Sequence, residues 1–215
     1  MTGAQPLEAR EVVFGYERDR NVLDGWTATF PAGAMTALVG PSGRGKSTLL
    51  FLLGLMLRIR GGEVLIGGQP TSRLRDRERS SLRASRFGFV FQDAALDPTR
   101  TIIDNVTETA LYRGADRLLA ASRARTLLDR FGVDVPVDRR PGEVSGGQAQ
   151  RIALCRALLG EPQIVLADEP TGNLDPASSG VVVDALREHA GRGGAVVVVT
   201  HSPEVAVACD RVISL

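Results

Sequence analysis

Gly40-Pro41-Ser42-Gly43-Arg44-Gly45-Lys46-Ser47-Thr48 carries the spacing G-x-x-x-x-G-K-[ST]. Glycines at these places let successive backbone N–H groups turn inward on phosphate oxygens, and a helix starting at the lysine points its positive end at them. Lys46 is the only lysine of the chain, and every other basic side chain is arginine. A slim ammonium reaches into such a nest, where arginine's wide planar fork fits poorly. The stretch therefore reads as a phosphate loop for a nucleotide, with a strand expected before it and a helix after it.

Continuous β-branched or apolar runs supply that strand and its partners: Met35 to Val39, Phe87 to Phe91, Ile164 to Ala167 and Ala195 to Thr200. Runs of this kind suit strands buried on both faces, hence a parallel sheet covered by helices. The fold class is α/β, a phosphate-loop (P-loop) NTPase core with a mixed, largely parallel sheet. Arg10 to Phe14, Trp26 to Phe30 and Glu63 to Ile66 are shorter or alternate between turn residues, which predicts an antiparallel β flank. Between Asp93 and Val144 the β-branched runs give way to Leu, Ala and Arg. Leu118, Ala121, Ala124, Leu127 and Leu128 fall at roughly helical spacing there, which predicts an inserted α-helical subdomain. The expected organisation is one unit over 1–215, with residues 1–92 and 145–215 forming the core and 93–144 the helical subdomain.

The bulk composition excludes several classes. At 215 residues and 43% apolar content the chain is long enough to bury a core. Its 26 basic and 25 acidic residues leave no polyanion-binding surplus, so nucleic acid is not an expected partner. Cys155 and Cys209 match no metal-ligand spacing and read as reduced thiols. No apolar run approaches the ~20 residues of a membrane span, and Met1 to Arg10 lacks a signal core. The charge-rich Arg58 to Arg86 reads as a solvated loop and helix face. Trp26 is expected in the core, and His189 on a solvated polar helix face.

Gln163-Ile164-Val165-Leu166-Ala167-Asp168-Glu169-Pro170 is an apolar strand that ends in two carboxylates. In a phosphate-loop ATPase the strand beside the loop ends in an Asp that holds Mg²⁺ through its water shell, while Ser47 supplies a direct hydroxyl ligand. Asp168 fits that place. Glu169, one residue further on, can polarise a water for in-line attack on the γ-phosphate.

Val144-Ser145-Gly146-Gly147-Gln148, followed by Arg151-Ile152-Ala153-Leu154-Cys155-Arg156-Ala157-Leu158, resembles the signature motif of ATP-binding-cassette ATPases and the helix after it. Phe89-Val90-Phe91-Gln92 is similar to the family's Q-loop, Asn173-Leu174-Asp175 to its D-loop, and Thr200-His201 to its switch histidine. The resemblance extends over nearly the whole chain. The run Leu166 to Asp175, with Gly88 to Gln92 and Asp104-Asn105-Val106, resembles the branch containing lipoprotein-releasing, macrolide-export and related transporters and the cell-division cassette pair. Departures from the pattern are Val144 for Leu, Ala149 for a longer polar residue, Arg44 for a small one and Cys155 for Ala.

The resemblance implies ATP and Mg²⁺ as cofactors and a homodimer, or pseudo-dimer, that sandwiches ATP. Gly40, Pro41, Ser42, Gly43, Arg44, Gly45, Lys46, Ser47 and Thr48 would cradle the phosphates, and Tyr16 would stack on the adenine. Ser145, Gly146, Gly147 and Gln148 leave backbone N–H groups open at a helix start, a second anion nest that in the family contacts the γ-phosphate held by the other subunit. Asp175 would bridge to the partner's phosphate loop. Glu169, His201 and Gln92 would be the catalytic residues, and Ser47, Gln92 and Asp168 the metal site. The chain would be the motor for a separate integral-membrane permease, lying in the cytoplasm at the inner face of the cell membrane, with Asp93 to Tyr112 as the permease contact. Export or extraction of a lipophilic compound, peptide or lipoprotein is the first expectation. Regulation of an extracytoplasmic cell-wall hydrolase through a membrane partner, without transport, is the alternative. A soluble cassette working on DNA or ribosomes fits poorly, since there is one cassette and no long coiled coil.

Overall fold

The computed structural model describes residues 7–17, 19–41 and 43–215. Strands β1 (Leu7–Phe14), β2 (Leu23–Phe30) and β3 (Met35–Val39) lead through the phosphate loop into helix α1 (Lys46–Leu53). Strands β4 (Gly61–Ile66) and β5 (Gln69–Pro70), helix α2 (Asp76–Arg86) and strand β6 (Phe87–Val90) follow. Then come helices α3 (Ile102–Tyr112), α4 (Arg117–Arg130) and α5 (Gly146–Leu158), and strand β7 (Ile164–Asp168). Helix α6 (Pro176–Gly191), strand β8 (Ala195–Val199), helix α7 (Pro203–Val207) and strand β9 (Arg211–Ser214) complete the order.

The central sheet has five strands in the order β6-β7-β8-β3-β9, and all its pairings are parallel. The antiparallel flank forms a sheet of its own, β2-β1-β4-β5. Side chains alternate across the parallel sheet because the strand period is two. Ile164, Leu166, Ala195, Val197 and Val199 join α1 and the antiparallel sheet in one apolar cluster. Val165, Ala167, Val196 and Val198 join α3 to α6 in the other. Each fully buried aliphatic side chain contributes about 1.5–3 kcal/mol, so a strand such as β8, buried at all five positions, is fixed from both sides.

Several expectations need correcting here. The strand ending in Asp168 is not beside the phosphate-loop strand, because β8 lies between β7 and β3. Of the face read in the sequence, α4 buries Ala124 and Leu128 and half-buries Leu127, while Leu118 is 82% exposed and Ala120 takes its place in the contact. Arg79, in the charge-rich stretch, is only 5% exposed. It donates to the carbonyls of Leu55 and Leu57, and Arg83 also donates to Leu55 O. These guanidiniums satisfy carbonyls of the turn that follows α1. His189 is not solvated: its ring packs on Gly194, its Nε2 is buried without a hydrogen-bond partner among the described residues, and burial depresses its pKa against the Pro162 carbonyl's bond. Trp26 is half-buried and packs beside Phe30.

Candidate active site

In open α/β sheets, ligands gather where strands end and the winding reverses. The carboxyl ends of β3, β8 and β7 lie side by side here and carry, in turn, the phosphate loop, Thr200-His201 and Asp168-Glu169. Strand order thus brings together residues far apart in the chain.

A cavity of about 680 Å³ opens over these strand ends, lined by Gly43 to Thr48, Tyr16 and Glu169, and on its far side by Glu17 and Arg20 to Val22. Lys46 Nζ donates to Gly40 O at 2.8 Å and to Pro41 O at 3.0 Å, which holds the ammonium across the mouth of the loop. Gly45 stands in the left-handed region with φ 88°, and a Cβ there would come within 2.5 Å of Val22 Cγ1. Gly40 is pressed the same way, with a Cβ placed 2.9 Å from Leu215 O. Ser42 lies outside the described residues.

The Tyr16 ring is 66% exposed beside the cavity, where a base could stack on it. Its hydroxyl pairs with Thr48 Oγ1 at 3.0 Å, and its edge meets the Phe14 ring at 5.1 Å. One aromatic is thereby fixed to the phosphate loop itself. Flat rings of this kind bind any base face with little selectivity.

Asp168 is held between opposing influences. Burial pushes its carboxyl above the ordinary range, the Ser47 hydroxyl bond opposes that, the Glu169 charge adds to it, and the Lys46 ammonium opposes it. Its Oδ1 is buried and lacks a hydrogen-bond partner among the described residues. Glu169 has φ 46°, an uncommon conformation for a non-glycine, which costs on the order of 1–3 kcal/mol and persists only where surroundings enforce it. The enforcing contact is its N–H bond to Val199 O at 2.9 Å, across to β8. The carboxylate meets His201 twice: Nδ1 stands 2.9 Å from Oε1, and the His201 backbone N–H donates to Oε2 at 3.3 Å. The imidazole is 72% exposed against 15% for the Glu169 side chain, so it closes over the acid from the solvent side.

The remaining expected residues stand apart. Gln92 lines a separate small cavity of about 140 Å³ together with Gly146 and Asn173. Gly172 separates it from the acid: a Cβ there would lie 3.5 Å from Gln92 Nε2 and 3.7 Å from Glu169 Cβ. Ser145 caps α5, its Oγ accepting from Gln148 N–H at 3.2 Å while Gln148 Oε1 accepts from Ser145 N–H at 2.9 Å. Gly146 and Gly147 open that helix N-terminus on the surface, away from the phosphate-loop cavity. Asp175 caps α6, with Oδ1 accepting from Ala177 and Ser178 N–H at 3.0 Å each, and these bonds, led by the Ser178 side chain, hold its carboxyl below the usual range. Sequence reading missed Arg20 to Val22, which have no motif, and Gln150, a plain helical residue.

A family model described as ABC transporter matches residues 23–172. The chain belongs to the ABC transporter family. The cassette is 44% identical over 198 residues to the lipoprotein-releasing system ATP-binding protein LolD of Paramagnetospirillum magneticum, covering 92% of this chain and 88% of that one. It is 40% identical over 199 residues to the macrolide export ATP-binding/permease protein MacB of Photorhabdus laumondii, covering 93% of this chain and 31% of that one. Among solved structures it is similar to the dimeric MJ0796 cassette, with TM-score 0.88, 33% identity and 97% and 94% of the two chains covered. The post-hydrolysis dimer of MJ0796 bound to ADP and Pi gives TM-score 0.85 at 32% identity, with the same coverage. The cassette is thus an ATP-binding ATPase, and chains of this family are the motors of membrane transporters. Among the described residues no helix is long and apolar enough to cross a membrane.

Proposed function

We propose that this cassette closes on a second copy around two ATP molecules and that closure drives a separate membrane permease. One observation carries the reading. Lys46, Ser47, Asp168, Glu169 and His201 meet at adjoining strand ends, while the helix N-terminus at Ser145 to Gly147 lies outside the cavity they surround. A second anion nest with no phosphate loop of its own is explained if it completes the partner's site.

Within one site, the loop amides and Lys46 bind and orient the phosphates, and Tyr16 stacks on the base. Ser47 and Asp168 would hold Mg²⁺: a hydroxyl and a carboxylate with a buried, unpartnered oxygen are the hard donors such an ion takes, with phosphates and water filling its other positions. When bound, the ion supplies charge neutralisation at the phosphate oxygens. Glu169 accepts the proton of the attacking water at a carboxylate oxygen, and His201 keeps that carboxylate in line. Gln92 acts from behind Gly172, on the turn that carries Glu169. Asp175, besides capping α6, presents the D-loop to the partner's phosphate loop.

Residues 93–144 are proposed as the helical subdomain, with Asp93 to Tyr112 as the segment that meets the permease. In support, a groove of about 890 Å³ runs beside β6 between α2 and α3, lined by Phe87, Phe89 and Phe91, which stack in series, and by Met56 and Tyr112. Tyr112 is 74% exposed there. The LolD and MacB likenesses favour export or extraction of a lipophilic compound or lipoprotein over control of a cell-wall hydrolase. The cassette would lie at the cytoplasmic face of the membrane through that partner.

Light scattering of the Glu169→Gln protein, with and without Mg²⁺ and ATP, tests the sandwich. A nucleotide-dependent doubling of mass is expected, with none in Lys46→Ala. A monomer under both conditions, or wild-type turnover in Glu169→Gln, would count against it.

A further inference from the structure

Helix α5 starts at the signature and runs along the segment that follows Gln92. Gln150 Nε2 donates to Phe91 O at 2.8 Å. Arg156 donates from one guanidinium to two successive carbonyls, Ala94 O at 2.8 Å and Ala95 O at 2.6 Å. Those two alanines stand in the left-handed region, with φ 61° and 45°. An alanine in that region costs roughly 1–2 kcal/mol, so the turn holds only where something fixes its carbonyls. Gln150 is 3% exposed, and its bond has little competition from water.

We infer that Gln150, bonded just before Gln92, and Arg156, bonded just after it, are positioning residues that lock the chain on both sides of Gln92 to α5, so that the Q-loop and the signature N-terminus shift as one body. From Ser145 to Arg156 a helix spans about 16 Å at 1.5 Å per residue, a stiff rod between the two motifs. The small cavity behind Gly172 supports the link, since Gln92, Ala94, Gly146 and Gln150 all line it. Arg151 extends the same body toward the helical subdomain, donating to Phe131 O at 3.2 Å and Gly132 O at 2.9 Å. Neither Gln150 nor Arg156 lines the phosphate-loop cavity. Loosening them leaves ATP binding to one chain intact and impairs the step that needs both motifs. The catalytic consequence rests on the sandwich reading above.

The variants are Gln150→Leu, Arg156→Leu and Arg156→Lys, compared with the unsubstituted cassette. Titration with a fluorescent ATP analogue should give affinities within about twofold, while kcat falls on the order of tenfold in the two leucine variants and recovers partly in Arg156→Lys, a split between binding and turnover. Amide exchange should rise together over Asp93–Asp97 and Ser145–Ala149. Exchange that rises only over Asp93–Asp97, or kcat unchanged in a folded variant, would overturn the link. If Arg156→Leu fails to fold, Gln150→Leu carries both readouts. If the Glu169→Gln cassette of the light-scattering test above does not dimerise with ATP, the sandwich reading fails, and exchange in the Gln150 and Arg156 variants alone still decides the link.

Discussion

Gly45→Ala is expected to disable the phosphate loop while leaving the rest of the cassette folded. Gly45 has φ 88°. An L side chain in that region costs roughly 1–2 kcal/mol. A Cβ there would also stand 2.5 Å from Val22 Cγ1, and crowding of that kind adds about 1–3 kcal/mol. The sum is about 2–5 kcal/mol. Rotation of the loop backbone is the readiest relief, since a carbonyl bond from Arg44 N–H to Pro41 O at 3.4 Å is a weak restraint. Because the loop must return to its strained shape to cradle phosphates, the cost appears in ATP affinity. At 1.4 kcal/mol per tenfold, binding should weaken by about 30-fold to several thousandfold. Titration with a fluorescent ATP analogue measures it, with a thermal melt run in parallel to show that the fold survives. Adding Val22→Ala removes the crowding methyl but not the backbone cost, so the double variant should recover about five- to 140-fold. Gly45→Ala binding within twofold of the parent, or a double variant no better than the single one, would refute the steric argument.

Asp168→Asn should abolish Mg²⁺-dependent hydrolysis and yet stabilise the fold. Its carboxyl is raised in the folded state above 3.8. The folded chain therefore holds the proton more tightly than the unfolded chain, and stability falls as pH rises through that window. The gain in melting temperature should accordingly be larger at about pH 7 than at about pH 3, and an equal gain at both would contradict the assignment. His189 runs the other way. Its folded pKa is depressed below 6.5, so its contribution is full above that value and is lost as pH falls below it. His189→Gln should flatten the stability profile on the acid side of about pH 6.5, measured by urea unfolding at several pH values, and an unchanged slope there would show that another group titrates.

How much of this was legible in the sequence differs from residue to residue. Continuous apolar runs announced the parallel strands because strands buried on both faces cannot tolerate polar positions. The lone lysine and its glycines announced the loop, since few other residues satisfy that backbone and that reach. Paired acids at a strand end marked candidate carboxylates, and the fold sets them at the carboxyl end of β7, with Glu169 lining the phosphate-loop cavity. On α4 the spacing marked Ala124 and Leu128 but also Leu118, which is exposed, while Ala120, too small to stand out in an apolar pattern, fills the contact. His189 was misread because a polar helical neighbourhood hides the turn of Gly194 folded back against its ring.

The sequence by itself determined the chemistry: which groups could bind phosphate, accept a proton and stack on a base, because those are properties of residue types at short spacings. Only the tertiary structure decided which of them act together. Strand order set β8 between the phosphate loop and Asp168, bent Glu169 onto Val199 and beneath His201, and left Gln92 behind Gly172. It also tied α5 to the turn at Ala94 and Ala95 through hydrogen bonds between residues about sixty positions apart. Such long-range pairings depend on how layers pack, and no local pattern in the chain records them.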